Sequence, residues 1–292
     1  MKNSAKLILG TVQFGLPYGI NNSHGKPDKK LALELLNRAY LGGIRLLDTA
    51  EAYGNAQEVI GAYHQAFPLQ RFEVITKLSS ENLKKGNSLL DLVKGDMKQM
   101  LVSGLFGYMA HNYNDLHYFE KDLQLLSDLG SEGLIQRLGV SVYTNEEAEA
   151  ALENEWIDFI QLPFNMFDNI NQRGSIFVMA KSKGVDIHTR SVFLQGLFFK
   201  DPDDLPQKLT PLRKHLLHIR RVAADSKISL EELALQYVYT NPAISKVLIG
   251  VDNIEQLAQN LKAISRTASQ ELFDIINRIM VEETELLNPA NW

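Results

Sequence analysis

Eight short apolar runs, separated by amphipathic stretches, recur along this chain near residues 6–10, 44–49, 72–77, 106–110, 134–141, 158–162, 184–191 and 246–250. No other feature constrains the fold as much. A short continuous apolar run bounded by turn residues reads as a buried strand, and a 3.6-residue period between two such runs reads as a helix. Their alternation is the pattern of βα units around a parallel sheet.

The intervening segments carry helix signals of their own. In "PDKKLALELLNRAYLGG", Asp28 is a cap, Leu31, Leu35, Leu36 and Ala39 share a face, and Gly42 and Gly43 supply a stop. "NEEAEAALENEW" predicts a helix capped by Asn145 with acidic residues in its first turn, where the helix dipole favours them. "SLEELALQYVYTNP" pairs Ser229 with Glu232 in a capping-box spacing and ends before Pro242.

Eight such units in 292 residues, with no Pro-rich or Gly/Ser-rich linker, predict one closed (β/α)8 TIM barrel forming a single domain over residues 1–292. A doubly wound sheet would call for a Gly-rich fingerprint after an early strand, but "GTVQFGLPYG" has the wrong spacing for GxGxxG and no GxxxxGK[ST] occurs. Residues 192–212 follow the seventh strand, hold three prolines and are too long for an ordinary βα loop, which predicts a lid or binding segment. The tail from about 269 to 292 reads as a final helix docked on the outside of the barrel.

Composition narrows the function classes. Thirty Lys and Arg against 35 Asp and Glu give a net charge of −5, so no positive field argues for nucleic acid or an anionic membrane surface. The absence of cysteine excludes disulfides, thiolate metal sites and cysteine nucleophiles, and fits a reducing compartment. The N-terminus carries no signal-peptide pattern and no window is apolar enough for a membrane helix, so a cytoplasmic location is expected.

In a barrel of this kind, chemistry sits where the strands end at their C-terminal face. The second strand ends on Asp48 with Tyr53 shortly after, the third on Lys77, the fourth on His111. The fifth gives Ser141, the sixth Gln161, the seventh Arg190 and Ser191, and the eighth Gly250. Alone, Asp48 with Thr49 would simply turn the chain into a helix, and a single Lys or His is more often structural. Four ionisable groups on three adjacent strand ends favour chemistry. A phenol has an ordinary pKa near ~10 and donates its proton poorly at neutral pH unless a cation steadies the phenolate. Lys77 can supply that cation, Asp48 can hold the ammonium in place, and His111 can donate a hydrogen bond to a carbonyl oxygen. The set suits protonation of an oxygen that is gaining negative charge.

These residues resemble the catalytic tetrad of the aldo-keto reductase superfamily. "DTAEAYGNAQEVIG" is similar to the family's DTA-x-x-YG-N-x-E-x-x-(I/L)G signature, "ITKL" to its lysine segment and "HN" to the start of its histidine loop, and the likeness runs from about residue 7 to 263. The resemblance implies a nicotinamide-dependent oxidoreductase acting on a carbonyl or alcohol, sugars among them. Tyr53 would be its general acid/base, Lys77 the group that tunes Tyr53, Asp48 the partner of the lysine and His111 the carbonyl orienter. "LGVSVY", "QLPFN", "TRSVFLQGLF" and "LIGVDNIEQLAQN" resemble its cofactor-binding segments. They imply contacts from Thr11, Asp48, Ser141, Gln161, Arg190, Ser191, Gly250, Asn253, Gln256 and Asn260, with Phe14, Tyr53, His111 and Phe193 lining the substrate pocket.

The chain departs from the family pattern at Val142, where Asn is common, at Arg190, where an aromatic normally stacks on nicotinamide, and at Phe164, usually Tyr. Asp252 stands where many relatives place a neutral or basic residue near the 2′-phosphate, so NAD(H) weighs beside the expected NADP(H). A cofactor-binding regulatory or redox-sensing subunit with slow turnover, as in the potassium-channel β branch, is the alternative. A barrel lyase or epimerase using Lys77 as a Schiff base is a third reading, disfavoured because a nucleophilic amine must lose its proton. No metal is expected: His215 and His218 read as a solvated helix face, and His188 as a packed strand residue.

Overall fold

Strands form where the apolar runs fall: β1 (Leu7–Gly10), β2 (Leu46–Asp48), β3 (Glu73–Leu78), β4 (Gly107–Ala110), β5 (Leu138–Ser141), β6 (Phe159–Pro163), β7 (Asp186–Arg190) and β8 (Lys246–Ile249). All pair in parallel, in chain order, and β8 closes on β1, giving a (β/α)8 TIM barrel. The structure is a computed structural model that describes residues 4–22, 25–266 and 268–292.

Residues two apart along a strand share a face. Inside the barrel, Ile8, Leu46, Ile75, Met109 and Phe159 form an apolar cluster of their own, and the buried His188 ring stacks on Phe159 at 4.5 Å. Gly139 makes room for this floor, because a Cβ there would lie 2.6 Å from the Phe159 ring. Two residues further along the same strands come Gly10, Asp48, Lys77, His111, Gln161 and Arg190. The period of two that buries the floor therefore raises a polar layer directly above it, at the strands' C-terminal ends.

The Lys29–Leu41 helix starts as the sequence implies, with the Asp28 side chain accepting from the Leu31 amide, and stops at Gly42. Ser229 likewise accepts from the Glu232 amide. Three expectations need correction. The fifth strand begins at Leu138, not 134, because Ile135 makes only an isolated bridge to Leu105. The Asn145–Leu152 helix is capped by Thr144 in a reciprocal box with Glu147, while Asn145 turns aside to bond Gln172 and Arg173. The tail is helical only over Gln270–Asn277. Its end is pinned where Tyr237 donates to Asn277 at 2.7 Å and Asn169 donates to the Ile279 carbonyl at 2.9 Å, and two short 3₁₀ turns follow.

Candidate active site

Asp48 and Lys77 are each only 2% exposed and form an ion pair. Register sets it up: Asp48 lies beside Ile75 across the β2–β3 ladder, and Lys77 rises two residues above Ile75. Burying two charges is costly unless their remaining hydrogen-bonding capacity is filled. Here Lys77 Nζ also donates to the Thr49 carbonyl at 3.1 Å, and Gln161 Nε2 donates to Asp48 Oδ2 at 2.8 Å. The Thr11 hydroxyl and amide both donate to the Asp48 carbonyl at 3.0 Å, so Thr11 braces the strand end as well as facing the cleft.

Tyr53 stands over this pair. Lys77 Nζ lies 5.1 Å from the centroid of its ring, and the His111 ring meets it edge to face at 5.7 Å and 84°. Close backbone packing fixes the Tyr53 loop: a Cβ on Gly15 would sit 1.7 Å from the Tyr53 carbonyl oxygen, so only glycine lets the two segments meet.

Electrostatics departs from the sequence-based expectation. Withdrawal from water and the Asp48 charge push the Tyr53 hydroxyl above the ordinary phenol range, against a smaller downward pull from Arg190. Lys77 does not acidify it in this state. Its charge is matched by Asp48, and its own pKa is lowered by burial although Asp48 works the other way. Burial and the nearby Lys77 and Arg190 charges push His111 down to about 4, so its ring is neutral at physiological pH and can donate one hydrogen bond.

A second polar knot holds the Tyr53 loop from behind. Gln57 Nε2 donates to Thr76 Oγ1 and to Asp96 Oδ1, both at 3.0 Å, tying the Ala56–Ala66 helix to β3 and to the Leu89–Met100 helix. Asp96 is 5% exposed, and burial with the nearby Glu51 charge raises its pKa to about 8. A carboxyl whose folded pKa is raised holds its proton longer than the unfolded chain does, so it costs stability as pH climbs towards 8. Stability should fall by about 2 kcal/mol between pH 6 and 8, and Asp96→Asn should remove most of that fall. Thermal unfolding at several pH values checks it, and equal slopes in the two proteins would refute it.

The polar layer opens into a cleft of about 410 Å³. Of the residues expected there, Thr11, Asp48, Tyr53, Gln161, Arg190, Ser191, Phe193, Gly250, Gln256 and Asn260 line it. Others do not. Lys77 is buried against Asp48 and touches the cleft only through its partners. Ser141 is buried at the end of β5, and His111 meets the site through Tyr53. Asn253 caps the Ile254–Ala263 helix by accepting from the Gln256 amide at 2.9 Å. Phe14 is corrected outright: it is fully buried in the helix–barrel core, because the short Val12–Gly15 helix points it inward. His215 packs edge-on against Phe167 instead of facing water, and no cluster of three or more His, Asp or Glu among the described residues could hold a metal.

Sequence reasoning missed Gln13, whose buried Oε1 has no hydrogen-bond partner on the cleft wall, although "GTVQFG" displayed it. It expected a lid or binding segment after β7 but gave no sign of the segment that this loop meets to form a strap across the mouth. The long loop after β7 meets the loop after β1: the Ile20 amide donates to the Gln195 carbonyl at 3.1 Å, Asn21 to the Gly196 carbonyl at 2.6 Å, and Gln195 to the Tyr18 hydroxyl at 2.7 Å. Ser191, Leu194 and Gln195 adopt positive φ to make this bend, a strain that persists only where surrounding contacts enforce it.

The chain is similar to known proteins over nearly its full length. It is 24% identical over 263 residues to the uncharacterized oxidoreductase YqkF of Bacillus subtilis, covering 81% of this chain and 83% of that protein. It is 20% identical over 278 residues to the NADH-specific methylglyoxal reductase of Escherichia coli, covering 83% and 85%. The holo form of aldo-keto reductase AKR11C1 from Bacillus halodurans superimposes with a TM-score of 0.73 at 19% identity, over 96% of this chain and 94% of the other. The pattern of the aldo/keto reductase family matches residues 6–280, and with the barrel and its strand ends in place, the chain belongs to that family.

Proposed function

We propose that residues 1–292 act as one barrel domain that reduces an aldehyde or ketone to an alcohol, or runs the reverse reaction, with a nicotinamide cofactor. The observation that carries this reading is the convergence of Tyr53, His111 and the buried Asp48–Lys77 pair at the head of one cleft. Donors and acceptors on that cleft fit a dinucleotide: Gln13 offers an unpartnered buried acceptor, and Gln161, Gln256 and Asn260 offer amides along the wall.

When bound, the reduced nicotinamide supplies the hydride. Tyr53 gives its proton to the carbonyl oxygen as negative charge builds there, and His111 donates a hydrogen bond that fixes that oxygen. Lys77 then faces the phenolate left behind, while Asp48 and Gln161 keep the ammonium from shifting towards it. The strap over the mouth keeps water away from the reacting atoms.

Between NADP(H) and NAD(H), the wall favours NAD(H). Glu231 and Asp252 line it, and Arg190 is its only Lys or Arg among the described residues. A 2′-phosphate brought to those carboxylates meets like charge. One relative is named as NADH-specific, which supports the same choice. The substrate is a small carbonyl compound, sugars included, and with no cysteine to protect, the chain suits a reducing, cytoplasmic compartment.

Fluorescence titration with each dinucleotide tests the reading. NADH is expected to bind at least about tenfold more tightly than NADPH, a difference of ~1.4 kcal/mol. Binding of neither would overturn the proposal.

A further inference from the structure

Arg190 is the only Lys or Arg on the wall of the cleft among the described residues. Its guanidinium lies 4.0 Å from the centroid of the Tyr143 ring, and Nη2 donates to the Val142 carbonyl at 3.2 Å. Those two contacts fix the plane of the group and spend one of its five N–H donors. No carboxylate lies within ion-pair distance of it among the described residues, whereas Lys77 and Arg173 are paired with Asp48 and Asp168. Around Tyr53, then, Lys77 and Arg190 supply two positive charges against the single Asp48. A protein of net charge −5 thus holds a local surplus of one positive charge where its substrate must sit. Glu231 and Asp252 are the other charged side chains on this wall besides Asp48.

We propose that Arg190 binds an anionic group, carboxylate or phosphate, carried by the carbonyl substrate, so that the preferred substrates are oxo acids or phosphorylated oxo compounds. The inference rests on the carbonyl-reductase reading above. A planar, pre-oriented fork suits either oxyanion in a two-point contact. The competing use for the same cation is the dinucleotide, at its diphosphate or at the nicotinamide ring on which the family pattern stacks an aromatic. Position favours the substrate: Arg190 belongs to the polar layer of Asp48 and Gln161, with Phe193 beside it on the wall, and Tyr53 opens into the same cleft.

Paired substrates test this in the intact protein. With NADH, 4-carboxybenzaldehyde should be reduced with a higher kcat/KM than benzaldehyde, or glyceraldehyde 3-phosphate with a higher one than glyceraldehyde. The two pairs distinguish carboxylate from phosphate. Arg190→Met should lower kcat/KM for the charged member of the preferred pair by roughly 10- to 100-fold. The neutral member should lose markedly less, so that the charged-to-neutral ratio of kcat/KM falls, and Arg190→Lys should recover part of that ratio. Calorimetric titration of benzoate or inorganic phosphate into the NADH complex gives a readout independent of turnover, and Arg190→Met should abolish it. No charge preference in the wild type, or equal losses for charged and neutral substrates, would overturn the proposal. A weakened NADH dissociation constant in Arg190→Met with an unchanged charged-to-neutral ratio would overturn it in favour of a cofactor contact. If no dinucleotide binds the wild type, the carbonyl-reductase reading fails first and this inference with it.

Discussion

Replacing Tyr53 with phenylalanine is expected to lower turnover by about 10²- to 10⁴-fold, the usual worth of a positioned proton donor. Dinucleotide affinity should survive, because the variant keeps the ring and with it the edge-to-face contact with His111 and the stacking under Lys77. The direction of the Tyr53 shift adds a pH signature. Burial and the Asp48 charge keep the phenol protonated beyond its ordinary range, so its acid form is complete throughout the neutral region. His111, pushed down to about 4, is neutral over the same region. Reduction should therefore be nearly flat from about pH 6 to 9, whereas alcohol oxidation, which needs the phenolate, should rise with pH. Steady-state rates in both directions would show this. Full turnover in Tyr53→Phe would remove Tyr53 as the acid, and slow single turnovers in the wild type would favour a regulatory subunit.

The fold was legible because its main signal is local. Apolar runs of five to eight residues and capped amphipathic helices each report on themselves, and their count alone closes the barrel. The convergence of Asp48, Lys77 and His111 was legible for a related reason: they sit at fixed offsets past apolar residues that line the barrel interior, so strand period and strand end locate them without knowledge of the packing. What stayed hidden depends on contacts between segments distant in sequence. The strap joins residues 18–21 to 195–196, and nothing near Tyr18 or Gln195 announces the other. Phe14 looked like a rim residue because it follows a strand, yet a single helical turn points it into the core. The sign of the Tyr53 shift was hidden too: it is set first by withdrawal of the hydroxyl from water and then by the Asp48 charge, which also cancels that of Lys77, matters of geometry and not of residue type.

That cancellation predicts a large effect on stability. Lys77→Met removes the cation but leaves Asp48 at 2% exposure, with Gln161 as its remaining side-chain partner. Breaking a buried pair on one side generally costs 3–5 kcal/mol, roughly that much being expected here, because the orphaned charge cannot return to water. Denaturant unfolding should show the loss at neutral pH. The loss should shrink as pH falls, since a buried carboxylate without a cation is relieved by taking up a proton. The double variant Asp48→Leu with Lys77→Met removes both charges and should recover most of the stability while remaining as inactive as Tyr53→Phe. Recovery of stability without recovery of turnover separates the two roles of the pair. As an isolated structural element it is replaceable by apolar packing, and as the support of a phenolate it is not. A single variant as stable as the wild type would remove the structural role, and a double variant that turns over normally would remove the catalytic one.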